Sequence, residues 1–244
     1  MKEKVTQEPS ICFSSEFKCN LKRYFPKTNF NELLTYVRES ITRVIEKLGS
    51  IENNIDVKYV RFGIGKDCPA IRIDIDAAGP NYDIAYLEVQ PQIIELEPSM
   101  QSEDLVKIVK QLDAIYNPPK YNLSEVALLH EFGHLQDVQR PEFGYTCEVQ
   151  CEKLLGAVDK IWNILLDKRL VTHRLPIMNE NKNGVWKSFK REWKNLTGKE
   201  PHFADFESLW TRKKYNYGEI CSIAKDLLER YSHWKVGYCS NEKR

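Results

Sequence analysis

One long segment near the start of the chain places an apolar residue at every third or fourth position, from Phe30 to Leu48. Asn29 and Glu32 form a capping pair at its start, and Gly49 stands where a helix would end. The spacing predicts a helix that begins at Asn29 and ends at Gly49.

The hydrophobic period changes from helical to alternating after this helix. Apolar residues alternate with polar or charged ones in four segments, Ile55–Ile64, Ile71–Asp76, Tyr82–Val89 and Ile93–Leu96. Such alternation is typical of strands whose sheet has one wet or lightly covered face, as antiparallel and mixed sheets commonly do. Pro91 predicts a break or an edge, because proline cannot donate a hydrogen bond to a neighbouring strand.

The rest of the chain reads as helices. One is predicted from Ser102 to the run Asn117-Pro118-Pro119, which ends it. Another begins at the capping pair Asn122 and Glu125 and ends before Pro141. Three further helices are predicted near residues 145–170, 184–196 and 218–234.

The helix after Asn122 carries the sequence His130-Glu131-Phe132-Gly133-His134, a His-Glu-x-x-His motif. Two histidines four residues apart lie on the same side of a helix, about one turn from each other, so both imidazoles can reach one cation. Glu131 lies on the neighbouring flank, where its carboxylate can reach a metal-bound water without binding the metal. The motif therefore indicates a catalytic metal site.

Residues 122–160 resemble the zincin metallopeptidases. The resemblance implies an α+β fold, in which a mixed, strand-rich N-terminal sheet packs on the motif helix and a mostly helical lobe follows. We expect residues 1–27 to be poorly defined, because they show no sustained period, and residues 28–244 to form a single catalytic domain. Its sheet and motif helix would occupy residues 28–140, and its helical lobe residues 141–244.

The resemblance also implies the chemistry. His130 and His134 would bind Zn²⁺, and Glu131 would act as the general base that removes a proton from the zinc-bound water. The substrate would be a peptide or a protein. The clan prefers an apolar residue two positions after the second histidine, and this chain has Gln136 there.

The third ligand decides the subclass of zincin. A metzincin needs glycine and histidine at the positions that Asp137 and Arg140 occupy, so that branch is excluded. Gluzincins use a glutamate from a following helix, often in a Glu-x-x-Ala-Asp or Glu-x-x-Ala-Asn sequence. The segment Glu148-Val149-Gln150-Cys151-Glu152 matches that form loosely.

On a single helix, Glu148, Glu152 and Asp159 would cluster within about 40° of one another on one face. We predict Glu148 as the third zinc ligand and Glu152 as the acceptor for an imidazole N–H. For each of these carboxylates an ordinary surface position is the alternative, and for Asp159 it is the favoured one. Glu152 and Asp159 remain alternatives to Glu148 as the third zinc ligand.

Two other interpretations compete with the peptidase. Cys147 and Cys151 could join the two histidines in a closed structural zinc site, although helical spacing would turn the thiols about 100° from the acidic face. A zincin fold could also serve as a metal-binding regulatory or interaction module with little turnover. The residue that stabilises the oxyanion is open, with four candidates: Tyr145, His173, His202 and Tyr215.

Charge and composition narrow the class of partner. The chain has 36 Lys and Arg against 35 Asp and Glu, so no overall field attracts nucleic acid or an anionic membrane. In the basic stretch near residue 190, Trp186, Phe189 and Trp193 stand at helical spacing, which favours an amphipathic helix over a nucleic-acid patch. The start lacks the apolar core of a signal peptide and the seven cysteines suggest no disulfide framework, so we expect a cytoplasmic protein.

Overall fold

The computed structural model describes residues 10–13, 15, 18–19, 22, 26–51, 57–64, 71–77, 85–89, 106, 123–146 and 151–232. The chain divides into two compact units, Met1–Gln136 and Asp137–Arg244. Their boundary falls inside the motif helix, and each unit is described by itself below.

Four strands of the first unit form one sheet in the order β1-β2-β3-β4: β1 Ser10–Phe13, β2 Val57–Ile64, β3 Ile71–Ala77 and β4 Ala85–Val89. β1 runs parallel to β2, and the other neighbours are antiparallel, with Arg61 opposite Asp74 and Ile73 opposite Leu87. β1 lies within residues 1–27, for which the sequence predicts no firm structure. The fourth alternating segment, Ile93–Leu96, lies outside the described residues.

Helix α1, Phe30–Gly49, has the bounds that the sequence predicts. It begins at Phe30 because the Asn29 side chain accepts hydrogen bonds from the backbone N–H groups of Asn31 at 3.1 Å and Glu32 at 3.4 Å. Its buried apolar residues, Leu33, Ile41, Val44 and Leu48, follow the helical period.

Helix α2, Leu123–Val138, is the motif helix. Near its start, Glu125 is only 3% exposed and accepts a hydrogen bond from Nε of Arg43 in α1 at 2.5 Å. Near its end, the buried Gln136 amide donates to the backbone carbonyl of Leu48 at 3.1 Å. The two bonds join α1 to α2 at widely separated points, and the second explains why this chain has a polar residue where zincins prefer an apolar one.

In the second unit a 3₁₀ turn, Pro141–Phe143, is followed by four helices in its described part: α3 Glu152–Thr172, α4 Lys182–Thr197, α5 Phe203–Trp210 and α6 Tyr217–Tyr231. α3 packs against the three others. From Ile164 to Leu170 every residue of α3 except Lys168 is buried, so its second half forms the centre of this unit.

Helices α4 and α6 follow the sequence prediction closely. Asn181 caps α4, Gly198 ends it in a left-handed conformation (φ 79°), and the Phe189 and Trp193 rings are buried. The predicted amphipathic helix is thus confirmed. α6 begins with a reciprocal cap between Asn216 and Glu219.

The predicted fold class, α+β with a strand-rich sheet packed on the motif helix, is wrong. Helices account for 75% of the residues whose side chains are described, and their buried core is almost entirely helical. Alternation of apolar and polar residues produces extended backbone locally, but fold class follows from the elements that bury apolar surface. The described protein is therefore mainly helical.

Two other helix predictions have different outcomes. The helix predicted from about Tyr145 begins only at Glu152, because the chain turns at Gly144 (φ 63°) and Cys151 is still extended (φ −97°, ψ 115°). The helix predicted from Ser102 lies outside the described residues except for Val106, which is helical and buried.

The bond between Arg43 and Glu125 generates the first prediction. Arg43→Met keeps the length of the side chain but leaves the buried Glu125 carboxylate without this cation, so we expect a loss of about 2 kcal/mol in the free energy of unfolding. Urea denaturation measures it. Glu39→Gln is the matched control, because Glu39 is exposed and 3.9 Å from the same guanidinium. Its loss should stay below about 0.5 kcal/mol, and equal losses in the two variants would contradict the prediction.

Candidate metal site

The motif lies where an otherwise buried helix reaches solvent. Of the ten residues from Leu128 to Asp137, all are buried except Glu131 and His134. His130 is 9% exposed. A helix that is buried on nearly all sides belongs to a protein core, and among the described side chains of this helix the partly exposed ones lie on the side that carries the motif.

The two histidine rings approach each other closely across one turn of the motif helix. Their Nε2 atoms are 3.3 Å apart, and the ring planes are nearly perpendicular, at 84°. Two nitrogen ligands of a tetrahedral Zn²⁺, each about 2.0–2.1 Å from the metal, are themselves about 3.3–3.4 Å apart. The residues present therefore fit a zinc ion. The same separation also suits a hydrogen bond in which one Nε2 donates and the other accepts.

Glu131 has the place that the sequence predicts for it. It is partly exposed and lies about 100° around the helix from His130 and about 60° from His134. The carboxylate is thus attached on the flank of the histidine pair, at the part of the helix that water can reach.

The helix-face argument for Glu148 as the third zinc ligand does not hold in the structure. Residue 148 lies outside the described residues, and α3 begins only at Glu152. The two glutamates are therefore not on one helix, and the shared face that would align Glu148 with Glu152 and Asp159 does not exist. Glu148 stays a predicted ligand on its sequence match alone.

The other two carboxylates are on the surface. Glu152 is exposed in the first turn of α3, where a negative charge interacts favourably with the helix dipole. Asp159 is exposed, and its carboxylate accepts a hydrogen bond from Nζ of Lys160 at 2.9 Å. Among the residues that the structure describes, no group of three or more His, Cys, Asp or Glu side chains is arranged to hold a metal.

Two described residues near Glu148 in the sequence, Tyr145 and Cys151, are packed within the second unit. On one side, the Tyr145 ring packs edge-on against Tyr217, with centroids 4.8 Å apart, and also contacts Trp162. On the other side, Cys151 is buried at the N-terminus of α3.

Asp137 and Arg140, which occupy the positions where a metzincin would have glycine and histidine, are part of a buried ionic cluster. Asp137 is 0% exposed, and its Oδ1 accepts hydrogen bonds from Arg140 at 2.5 Å and from Arg169. Its Oδ2 accepts from Trp162 Nε1 at 2.8 Å and from the Tyr215 hydroxyl at 3.2 Å. Sequence analysis missed this cluster. Its only local signal is an Asp and an Arg three positions apart at the end of the motif helix.

The cluster also assigns a structural role to Tyr215, a candidate oxyanion donor. Burial, reinforced by the negative charge of Asp137, raises the pKa of the Tyr215 phenol above its ordinary value. Its hydroxyl therefore stays protonated and bonded to Asp137. The other candidates are Tyr145, within an aromatic cluster, and His173 and His202, both exposed at helix ends.

The basic face of α4 is matched by carboxylates. Glu200 pairs with Lys190 at 2.8 Å and with Lys194 at 3.1 Å. Glu207 pairs with Lys182, and Glu192 with Lys160 of α3. Four of the five cations of α4 thus lie within 4.0 Å of a carboxylate, namely Lys182, Lys190, Arg191 and Lys194.

Comparison of the chain with protein-family models, with curated proteins and with solved structures found no match. The resemblance to zincins thus rests on the motif and its helix. In the part of the chain that the structure describes, no helix is both long and apolar enough to cross a bilayer.

The third ligand generates the second prediction. Glu148→Gln should weaken zinc binding by about 10- to 100-fold, because an amide is a much poorer zinc ligand than a carboxylate. Cys147→Ser and Cys151→Ser are the matched variants, and both should bind zinc like the parent. Competition titration with a zinc chelator measures the three dissociation constants.

The reverse result would change the assignment. Weak binding in either cysteine variant, together with normal binding in Glu148→Gln, would assign the site to a closed structural zinc with thiolate ligands.

Proposed function

We propose that this protein is a zinc-dependent peptidase, similar to the gluzincins, that hydrolyses peptide bonds in a peptide or protein substrate. One observation carries the proposal: the two Nε2 atoms of the motif are separated by the distance that two ligands of one zinc ion require. That pair lies on the one side of the motif helix that is not fully buried.

His130 and His134 would hold the metal through neutral imidazoles, and Glu148 is the proposed third protein ligand. When bound, Zn²⁺ supplies a Lewis acid that polarises a carbonyl oxygen and makes bound water more acidic. Three protein ligands leave one coordination position for that water or the substrate, which is the arrangement of catalytic rather than structural sites.

Glu131 is the proposed general base. It takes a proton from the attacking water and passes it to the amine that leaves when the peptide bond breaks. Its partial exposure supports this role, because a base in a peptidase has to meet both water and substrate. A closed structural zinc site gives Glu131 no role.

A cytoplasmic setting is part of the proposal. Cys19 and Cys221 form no disulfide in the described structure, which is the state expected of cysteines in a reducing compartment. The competing function, a zincin-like module that binds metal but has little turnover, is distinguished from the peptidase by Glu131.

The third prediction concerns metal content. The parent should bind one Zn²⁺ per chain, and the double variant His130→Ala with His134→Ala should bind none, because it lacks both members of the pair. Elemental analysis of the purified proteins measures this. The control is His173→Ala with His202→Ala, which removes two exposed histidines and should keep the full equivalent. A full equivalent of zinc in the motif double variant would place the metal elsewhere.

The fourth prediction separates the enzyme from the module. Glu131→Gln keeps the size of the side chain and the metal ligands but removes the proton acceptor, so turnover should fall by about 10²- to 10⁴-fold. Zinc content and melting temperature should equal those of the parent. The assay uses a substrate found by screening peptide libraries.

Glu142→Gln is the control, because Glu142 is an exposed carboxylate outside the motif, and it should keep full turnover. Equal cleavage by the parent and Glu131→Gln would refute the proposed mechanism. A zinc-loaded parent that cleaves nothing while a partner protein co-purifies with both forms would support the module.

A further inference from the structure

The carboxylate of Asp137 has every acceptor site in use. An ionised carboxylate has about four lone-pair positions, and here four donors fill them: Arg140, Trp162, Arg169 and Tyr215. Two of the donors carry positive charge, so the bonds are of the stronger, charge-assisted kind. A fully buried carboxylate with this set of partners has one favourable position.

The donors come from separate parts of the second unit. Arg140 lies just after the motif helix, Trp162 and Arg169 lie in α3, and Tyr215 lies just before α6. Trp162 also contacts the Phe143 and Tyr145 rings, with centroids 5.1 and 6.0 Å away. The same indole therefore binds Asp137 and packs against the chain that leads to Glu148.

Asp137 belongs to the motif helix itself, three residues after His134. Backbone hydrogen bonds make a helix rigid over such a distance, so a rotation or shift at Asp137 would move the imidazole of His134 by a similar amount. Metal affinity is sensitive to such shifts, because ligand atoms have to stand within a few tenths of an ångström of their ideal positions.

We infer that Asp137 is a positioning residue for the proposed zinc site: its four hydrogen bonds fix the setting of the motif helix, and with it the positions of the two histidines. The inference rests on the proposed function. Asp137 contacts neither the metal nor the substrate in this scheme, and it acts through His130 and His134.

Two variants test the inference at different strengths. Asp137→Asn keeps the shape of the side chain but removes its charge, and the dissociation constant for zinc should rise about 10-fold, at the lower end of what supporting residues of metal sites contribute. Tyr215→Phe removes only the longest of the four bonds and should raise it by roughly threefold. The second variant decides the question if the first fails to fold.

Tyr231→Phe is a matched control within the same unit. The Tyr231 hydroxyl donates to Asp205 at 2.5 Å and accepts from the His202 N–H at 2.7 Å, and Tyr231 is buried. The substitution therefore removes a phenol bonded to an aspartate outside the Asp137 cluster. It should lower the melting temperature of the metal-free protein at least as much as Tyr215→Phe and leave zinc affinity unchanged.

Two readouts besides turnover separate positioning from stability. Competition titration of the metal-free proteins gives the zinc dissociation constants, and the visible absorption of the Co²⁺-substituted proteins reports the ligand geometry. Weaker zinc binding with an altered cobalt spectrum in the Asp137 and Tyr215 variants, but not in Tyr231→Phe, is the expected result.

Other results overturn the inference. Zinc affinity and cobalt spectra that match the parent in both cluster variants would show that Asp137 only stabilises the fold, and the proposed function would stand. An equal loss of affinity in Tyr231→Phe would point to general destabilisation. A parent that binds no zinc at all would overturn the proposed function, and the inference with it.

Discussion

Most of the described side chains of the motif helix are buried, and the polar ones among them are held by specific hydrogen bonds. A polar group that leaves water loses its hydration and needs a partner inside the protein. Glu125 has Arg43, Gln136 has the carbonyl of Leu48, and Asp137 has four donors. Each bond is specific in direction and length, so together they specify the rotation and the axial position of the helix more narrowly than apolar packing alone would.

Because the position of the helix is fixed, the relative positions of its two histidines are fixed as well. A pair of histidines on a mobile surface helix would pass through many relative geometries, whereas here the Nε2 atoms are held 3.3 Å apart. Preorganised ligands bind a metal without first paying the entropy of ordering. The same helix leaves Glu131 and His134 partly exposed, so in the proposed site the carboxylate base and one metal ligand would meet water at one place. A purely structural metal has no need of that opening.

Local patterns were enough to predict several elements, and the failures have physical causes. The cap at Asn29 depends on bonds within a few residues, so sequence spacing reveals it. Spacing does not reveal the start of α3, because the residue before it, Cys151, makes no side-chain cap bond that would mark the helix in the sequence. The fold class failed for a related reason: alternation shows that a segment can extend, but not which elements enclose the core.

The candidate site, like the fold, was predictable from the sequence only where it depends on local spacing. Spacing alone predicted that His130 and His134 would share a side of the helix, whereas the Asp137 cluster joins residues as far apart as 78 positions and leaves almost no local trace.

The cluster also explains how the chain departs from the metzincin pattern. Asp137 and Arg140 stand where a metzincin would have glycine and histidine, and here they are bonded to each other. The turn at Pro141–Phe143 and Gly144 follows, and the Phe143 ring packs on Trp162 of α3. In the proposed site the third ligand would come from later in the chain, and between Gly144 and α3 the only carboxylate in the sequence is Glu148.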